Sequence, residues 1–388
     1  MRLPRRLTAS VAASTLIVTA LTGCDSDTEA ADTTDIVIGA DLASGSAVDS
    51  AYARALQLKV EQVNASGALG DKRLVLRIQD NRSDPTSSLR NISTFADDPQ
   101  VATVITGDCD ECVVGAAKTI NDKKVPTIAL ASADEVSSPV ESRRFVFKLG
   151  PNSTDSSSAL VSELVRRKKK SVAILYTDDL YGRGGFQKMK KQLADLKPPI
   201  AITNSLSVKP TATEISQTVG TLTDGEPEAL VVWTGSDQAT LAATSAKLAK
   251  FKGQVYFDAA AAGDLFVPQD AAGSTNNAIM VFTQILAIDD VIATTPAKAA
   301  RKQWFRDYTS RYGSYSGVAS FGADAIDLIA EAVNKAGSDR ERIRDVLETS
   351  QTDGLSGPIR ITPDNHSGLM PQALTLLVAR SGRWRLLS

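Results

Sequence analysis

The chain has 388 residues, 43% hydrophobic and 23% charged, with 43 Lys and Arg against 45 Asp and Glu. That is enough to bury a large core or two, it gives no signal of disorder, and the balance argues against a nucleic-acid partner. One histidine, His366, and three cysteines, Cys24, Cys109 and Cys112, exclude a site built on several histidines; a Ser-His-Asp triad would depend on the turn-rich run Pro363-Asp364-Asn365-His366-Ser367-Gly368, and no metal or cofactor is expected.

Arg2, Arg5 and Arg6 precede a mostly apolar run from Leu7 to Leu21, which ends in Leu21-Thr22-Gly23-Cys24. A charged start, a short apolar stretch and small residues at the end are the layout of a secretory signal, too short to span a bilayer comfortably. The ending resembles the lipobox of bacterial lipoproteins, which implies a signal peptide over 1–23, lipid on the Cys24 thiol and a mature chain from Cys24. Residues 24–34 are polar and acidic, as suits a solvated tether holding a body outside the cytoplasmic membrane.

From Asp35 onward apolar strands alternate with helices. The sequence predicts strands at Ile36–Ala40, Leu74–Gln79, Val101–Thr106 and Thr127–Leu130, with helices over Ala51–Val63, after Ser83-Asp84-Pro85 and through Val113–Ile120. Ser83 or Asp84 can cap the second of these, with Pro85 preset for its first turn. A second series follows Gly150-Pro151: strands Val172–Tyr176, Ile200–Asn204, Ala229–Trp233 and Gln254–Phe257, with Ser236-Asp237 opening a helix to Lys250. Runs such as Leu230-Val231-Val232-Trp233 are apolar throughout, as strands covered on both faces require. Two successive series at the βα pitch predict an α/β protein with two open, Rossmann-like lobes. Helices at Pro296–Tyr312, Gly317–Lys335 and Asp339–Thr349 and a β-rich tail, Ile359–Ile361 and Ala373–Val378, must then return to cover the lobes. Arg166–Lys170 is expected to be a solvated helix C-terminus.

Several stretches resemble the extracytoplasmic solute-binding proteins of the branched-chain-amino-acid (Leu/Ile/Val-binding) ABC transporter family. They include Ile36-Val37-Ile38-Gly39, Val63-Asn64-Ala65-Ser66-Gly67, Gln79 to Pro85, Val125-Pro126-Thr127-Ile128, Tyr181-Gly182-Arg183-Gly184, Phe321-Gly322-Ala323-Asp324-Ala325 and Gly354 to Ile359. The order and spacing carry the likeness, from Asp35 to about Pro363. It implies the type I periplasmic-binding architecture, with two lobes joined by three crossovers near Gly150, Thr283 and Leu355. Lobe 1 would comprise 35–149 and 284–355, and lobe 2 150–283 and 356–388. A small polar solute would be buried as the lobes close, at the carboxyl ends of the strands.

The candidate contacts are therefore loops after strands. Ser46 either faces ligand or caps a helix. Gly107-Asp108-Cys109-Asp110-Glu111-Cys112 stands where the family carries small hydroxyl residues that help hold a ligand carboxylate, so this chain departs from the pattern. Acidic side chains there would repel a carboxylate, which points to a neutral solute or a cation facing Asp110 or Glu111; alternatively both acids turn to solvent and cap the following helix. Ser132 and the N–H of Ala133 match the family's head-group segment, and Tyr181 its cleft tyrosine, which otherwise packs at a strand–helix corner. Thr234, Ser236 and Asp258 end strands at the same edge; Asp258 resembles the family's acid against a ligand ammonium. Phe321 either walls the pocket or is a buried helix aromatic. Cys109 and Cys112, outside the membrane, suggest a small disulfide, with a redox role as the sharper alternative.

The expected function is a non-enzymatic receptor lipoprotein, a monomer, delivering an amino acid or similar small polar solute to ABC permease subunits. Two alternatives remain at this level: a ligand sensor without transport, and a cleft enzyme using acid pairs such as Asp110/Glu111 or Asp178/Asp179.

Overall fold

The computed structural model describes residues 34–262 and 272–387; the signal peptide, Cys24 and the tether up to residue 33 lie outside the described residues. The first series folds as β1 (Thr34–Leu42), α1 (Ala47–Ser66), β2 (Lys72–Asp80), α2 (Pro85–Asp97), β3 (Val101–Thr106), α3 (Asp110–Asp122), β4 (Thr127–Ala129) and β5 (Val146–Lys148). These strands form one parallel sheet in the order β2-β1-β3-β4-β5. The second series gives α4 (Ser153–Arg166), β6 (Ser171–Thr177), α5 (Leu180–Asp195), β7 (Ala201–Val208), α6 (Ser216–Thr223), β8 (Ala229–Trp233), α7 (Ser236–Leu248), β9 (Gln254–Phe257), α8 (Ala272–Thr275) and β10 (Ile279–Thr283). Then come α9 (Pro296–Tyr312), α10 (Ala319–Ala336), α11 (Arg340–Glu348), the small hairpin β11 (Gln351–Asp353) and β12 (Pro358–Arg360), and finally β13 (Leu374–Arg380) and β14 (Arg383–Leu386).

The second sheet runs β14-β13-β10-β9-β8-β6-β7, parallel from β7 to β10, with β13 and β14 added antiparallel. This is the two-lobed type I periplasmic-binding fold that the resemblance implies. The chain passes between the sheets three times: after β5, after β10, and beyond the β11–β12 hairpin.

Burial explains the strand sequences. Ala229, Val231 and Trp233 enter one core cluster and Leu230 and Val232 the other, so every residue of β8 meets a helix layer on one face or the other. The returning helices are fastened to the first sheet. Helix α10 lies on α1, where a Cβ on Gly322 would sit 3.3 Å from that of Ala55. The Arg340 guanidinium at the start of α11 donates to the carbonyls of Val101 (2.9 Å), Ala96 (2.8 Å) and Asp98 (2.7 Å).

Helix starts follow local signals. Asp84 caps α2 through Ser87 N, Thr295 caps α9 ahead of Pro296, and Asp339 caps α11. Helix α7 opens at Ser236 as expected, with Gly235 as its cap, and ends two residues early, at Leu248. Four strands escape the sequence patterning. β5 and β11 have only three residues each, β10 is buried without alternation, and β14 has only four residues, on a sheet edge. Among the described residues no helix is long and apolar enough to cross a membrane.

Candidate ligand cleft between the lobes

In both sheets the strand order reverses once within the parallel part, between β1 and β3 and between β6 and β8. The loops leaving the carboxyl ends at such points diverge and leave a crevice. Here the two crevices face each other, and what lines them is acidic.

In the first lobe, Asp49 sits three residues after the α1 cap, Ser46, whose Oγ accepts from Asp49 N (3.2 Å). Its buried carboxylate accepts from Ala43 N (2.6 Å) and Asp108 N (2.8 Å), tying the β1 and β3 loops together. Gly107 is required for this: a Cβ there would lie 2.3 Å from Asp49 Oδ1. Burial pushes Asp49 up to about 6, against the pull of the two N–H groups. Asp110 opens α3 but does not turn to solvent. Its Oδ1 accepts from both Ser132 N (2.9 Å) and Ala133 N (2.7 Å), drawing the β4 loop in. Lys148, fully buried, holds the same loop from below, donating to Ser132 O (3.1 Å) and, more weakly, to Gly150 O (3.4 Å) and Pro151 O (3.5 Å) at the first crossover. Burial pushes Asp110 up to about 7, with the Ala133 amide and the Lys148 charge opposing, and pushes Lys148 down.

The second lobe repeats the device. Asp258, at the end of β9, accepts from Tyr181 OH, Thr234 N (3.2 Å) and Ala260 N (3.2 Å); burial raises it to about 7. Asp179 caps α5 through Gly182 N (2.7 Å) and is raised by burial. Two further acids bond across between the lobes. Glu111 Oε1 accepts from Leu180 N at the start of α5 (2.8 Å), and Asp134 accepts from Ser153 N (3.0 Å) and Thr154 Oγ1 (3.0 Å) at the start of α4. Each places an acid of one lobe at the positive end of a helix of the other.

Asp108 differs from these. Water reaches its side chain, yet protein surrounds it, because it projects into the crevice rather than onto the outer surface. Its carboxylate has no hydrogen-bond partner among the described residues. Burial first, then Asp49, Asp110, Asp179 and Glu111, pushes it well above the usual carboxylate range.

The structure thus draws most of the candidate residues together but gives them tasks among themselves. Ser46 is a half-buried cap. The Ala133 N–H, expected to be open to the cleft, is taken by Asp110. Asp110 and Glu111, expected either to face a cation or to turn to solvent, bind backbone N–H groups of other loops instead. Ser132 keeps a half-buried hydroxyl with no partner among the described residues. Tyr181 and Asp258 bind each other, and Thr234 is buried, with its hydroxyl on Gly235 O (3.0 Å). Ser236 is the buried first residue of α7, accepting from Thr240 Oγ1 through its carbonyl. Phe321 stands edge-on to Phe282 at 5.9 Å and is 1% exposed, so it is a core aromatic and not a pocket wall. Cys109 and Cys112 are bonded, and Cys109 caps α3. The acids on either side disfavour a thiolate, contrary to what redox activity needs. Asp178 pairs with Arg183 (2.7 Å) at the rim while Asp179 caps a helix, so neither adjacent acid pair acts as a unit. Asp49 and Asp108 were missed; the Ser46-x-x-Asp49 box was the readable signal for the first. No group of three or more His, Cys, Asp or Glu among the described residues is arranged to hold a metal ion.

A cavity of about 520 Å³ opens elsewhere, beside the crossovers, lined by residues such as Ser138, Asn152, Asp155, Arg360 and Asn365. It shares only Asp134 with the acids described above and lies away from both points of strand reversal, so the cleft at the strand ends remains the better candidate.

A family described as periplasmic binding protein matches residues 37–383. Solved structures share the fold. An extracellular ligand-binding receptor from Rhodopseudomonas palustris is 19% identical, with a TM-score of 0.80, over 92% of this chain and all of that one. A leucine binding protein, LivK, from Thermotoga maritima is 17% identical (TM-score 0.76; 92% of this chain, 98% of that one). The branched-chain amino acid transporter substrate binding protein LivJ of Streptococcus pneumoniae, solved with isoleucine, is 18% identical (TM-score 0.77; 91% and 99%). A search of curated proteins found no match.

Proposed function

This chain belongs to the periplasmic binding protein family, and from that premise we propose that it is the solute-binding receptor of an ABC importer, capturing an amino acid or similar small polar solute between its lobes. The observation that carries the reading is the pair of facing strand-reversal points, bridged by Glu111 and Leu180 N, which places two sets of recognition loops on either side of one closable crevice. We place lobe 1 at 35–149 plus 284–355 and lobe 2 at 150–283 plus 356–388, with lipid on Cys24 holding the protein at the outer face of the cytoplasmic membrane. The contacts are proposed at Ser132, Asp108 and Tyr181, with Ser46, Thr234 and Ser236 at the edges. No chemistry is assigned to the cleft: the bound compound should leave unchanged. A thermal-shift screen across amino acids, amides, urea-like and aromatic solutes tests this, since a ligand of the folded state alone raises the melting temperature. A selective rise, with the compound recovered intact after denaturation, is expected; turnover of the compound would refute the reading.

A further inference from the structure

We propose that the solute taken by this cleft is a small organic cation, a primary ammonium or guanidinium compound with no carboxylate beside the charge. The inference rests on the receptor reading above and names its substrate class.

The first ground is what the cleft cannot offer. A ligand carboxylate needs free backbone N–H groups or a cationic side chain. At the strand ends, Ser132 N and Ala133 N are held by Asp110, Thr234 N and Ala260 N by Asp258, and Leu180 N by Glu111. At these five N–H groups the protein has placed its own carboxylates where an anionic head group would go, which leaves the first turn of α7, with no side-chain cap at Gly235, as the N–H end beside them that no acid caps. The cations nearby are committed as well: Lys148 Nζ donates to carbonyls of the β4 loop and first crossover, and Arg183 pairs with Asp178.

The second ground is what the cleft leaves open. Asp108, at the first strand-reversal point, presents a carboxylate that water reaches and that no described residue hydrogen-bonds, with Asp110, Glu111 and, from the other lobe, Asp179 around it. Closing two lobes over such a group without a counter-charge brings like charges together. Two positions earlier, at the end of β3, the Thr106 hydroxyl is buried (1% exposed) with no partner among the described residues, and the Ser132 hydroxyl is also without one. A carboxylate that a cation beside it would ionise, and two hydroxyls without a partner among the described residues, fit a ligand that brings several N–H donors.

The test uses the mature chain and matched pairs that differ by one carboxylate: agmatine and arginine, putrescine and ornithine, isoamylamine and leucine, phenethylamine and phenylalanine. Neutral amides are included, and binding is read by calorimetry. We expect one amine to bind at least a hundredfold more tightly than its amino acid, and Asp108→Asn to weaken that binding at least tenfold without lowering the unliganded melting temperature. Tighter binding of an amino acid or a neutral amide, or an amine affinity indifferent to Asp108→Asn, overturns the cation assignment and leaves the receptor reading standing. If no solute of any class binds, the receptor reading falls, and the assignment with it.

Discussion

Replacing Asp110 separates its charge from its geometry. Both amides it holds, Ser132 N and Ala133 N, bond to one oxygen, Oδ1. Asparagine keeps an oxygen there, so Asp110→Asn retains both bonds and removes only the ionisation. Asp110→Ala leaves two buried N–H groups without an acceptor, at about 1–3 kcal/mol each. The charge has its own signature. Burial lifts Asp110 from 3.8 to about 7, so between those values the folded protein holds a proton that the unfolded chain has released. Stability from this group is full below pH 4 and lost as pH rises through 7, by about 4 kcal/mol in all, about 3 of it between pH 5 and pH 8. Urea unfolding followed by tryptophan fluorescence should therefore give Asp110→Asn more stable than wild type by about 2 kcal/mol at pH 5 and by about 4 kcal/mol at pH 8. Asp110→Ala should be the least stable at pH 5. An Asn variant whose difference from wild type is the same at both pH values, or an Ala variant as stable as the Asn one, would refute the reasoning.

Three further outcomes are expected. Gly107→Ala, which puts a Cβ 2.3 Å from Asp49 Oδ1, should lose about 1–3 kcal/mol in the same assay, while Gly45→Ala, with nothing within 4 Å, should stay within about 0.5 kcal/mol of wild type. Asp324→Ala removes the acceptor for Leu355 N (2.6 Å), Ser356 N (2.8 Å) and Ser356 Oγ (2.5 Å) at the third crossover. It should cost about 3–5 kcal/mol in urea unfolding. Glu111→Ala removes the cross-cleft cap on α5 and should enlarge the radius of gyration of the unliganded protein in small-angle X-ray scattering; an unchanged radius would show that this bond does not hold the lobes together.

The sequence by itself determined the layers. Apolar runs such as Ala229–Trp233 have one stable use, a strand covered on both faces, and caps such as Asp84-Pro85 and Thr295-Pro296 fix helix starts within a few residues of themselves. The carboxyl-end rule then located the right loops and showed that they are acidic. Where each carboxylate points was decided only by tertiary structure. Asp110 finds its amides 22 and 23 residues away and Glu111 finds Leu180 N 69 residues away in the other lobe, while Asp49 reaches Asp108 N across 59. An ionisable group on a loop is placed by whichever unpaired N–H the fold brings within about 3 Å. No local pattern encodes that meeting, so the sequence names the acids of the cleft, and the packing of β1, β3, β4 and the two lobes leaves Asp108 as the one without a partner among the described residues.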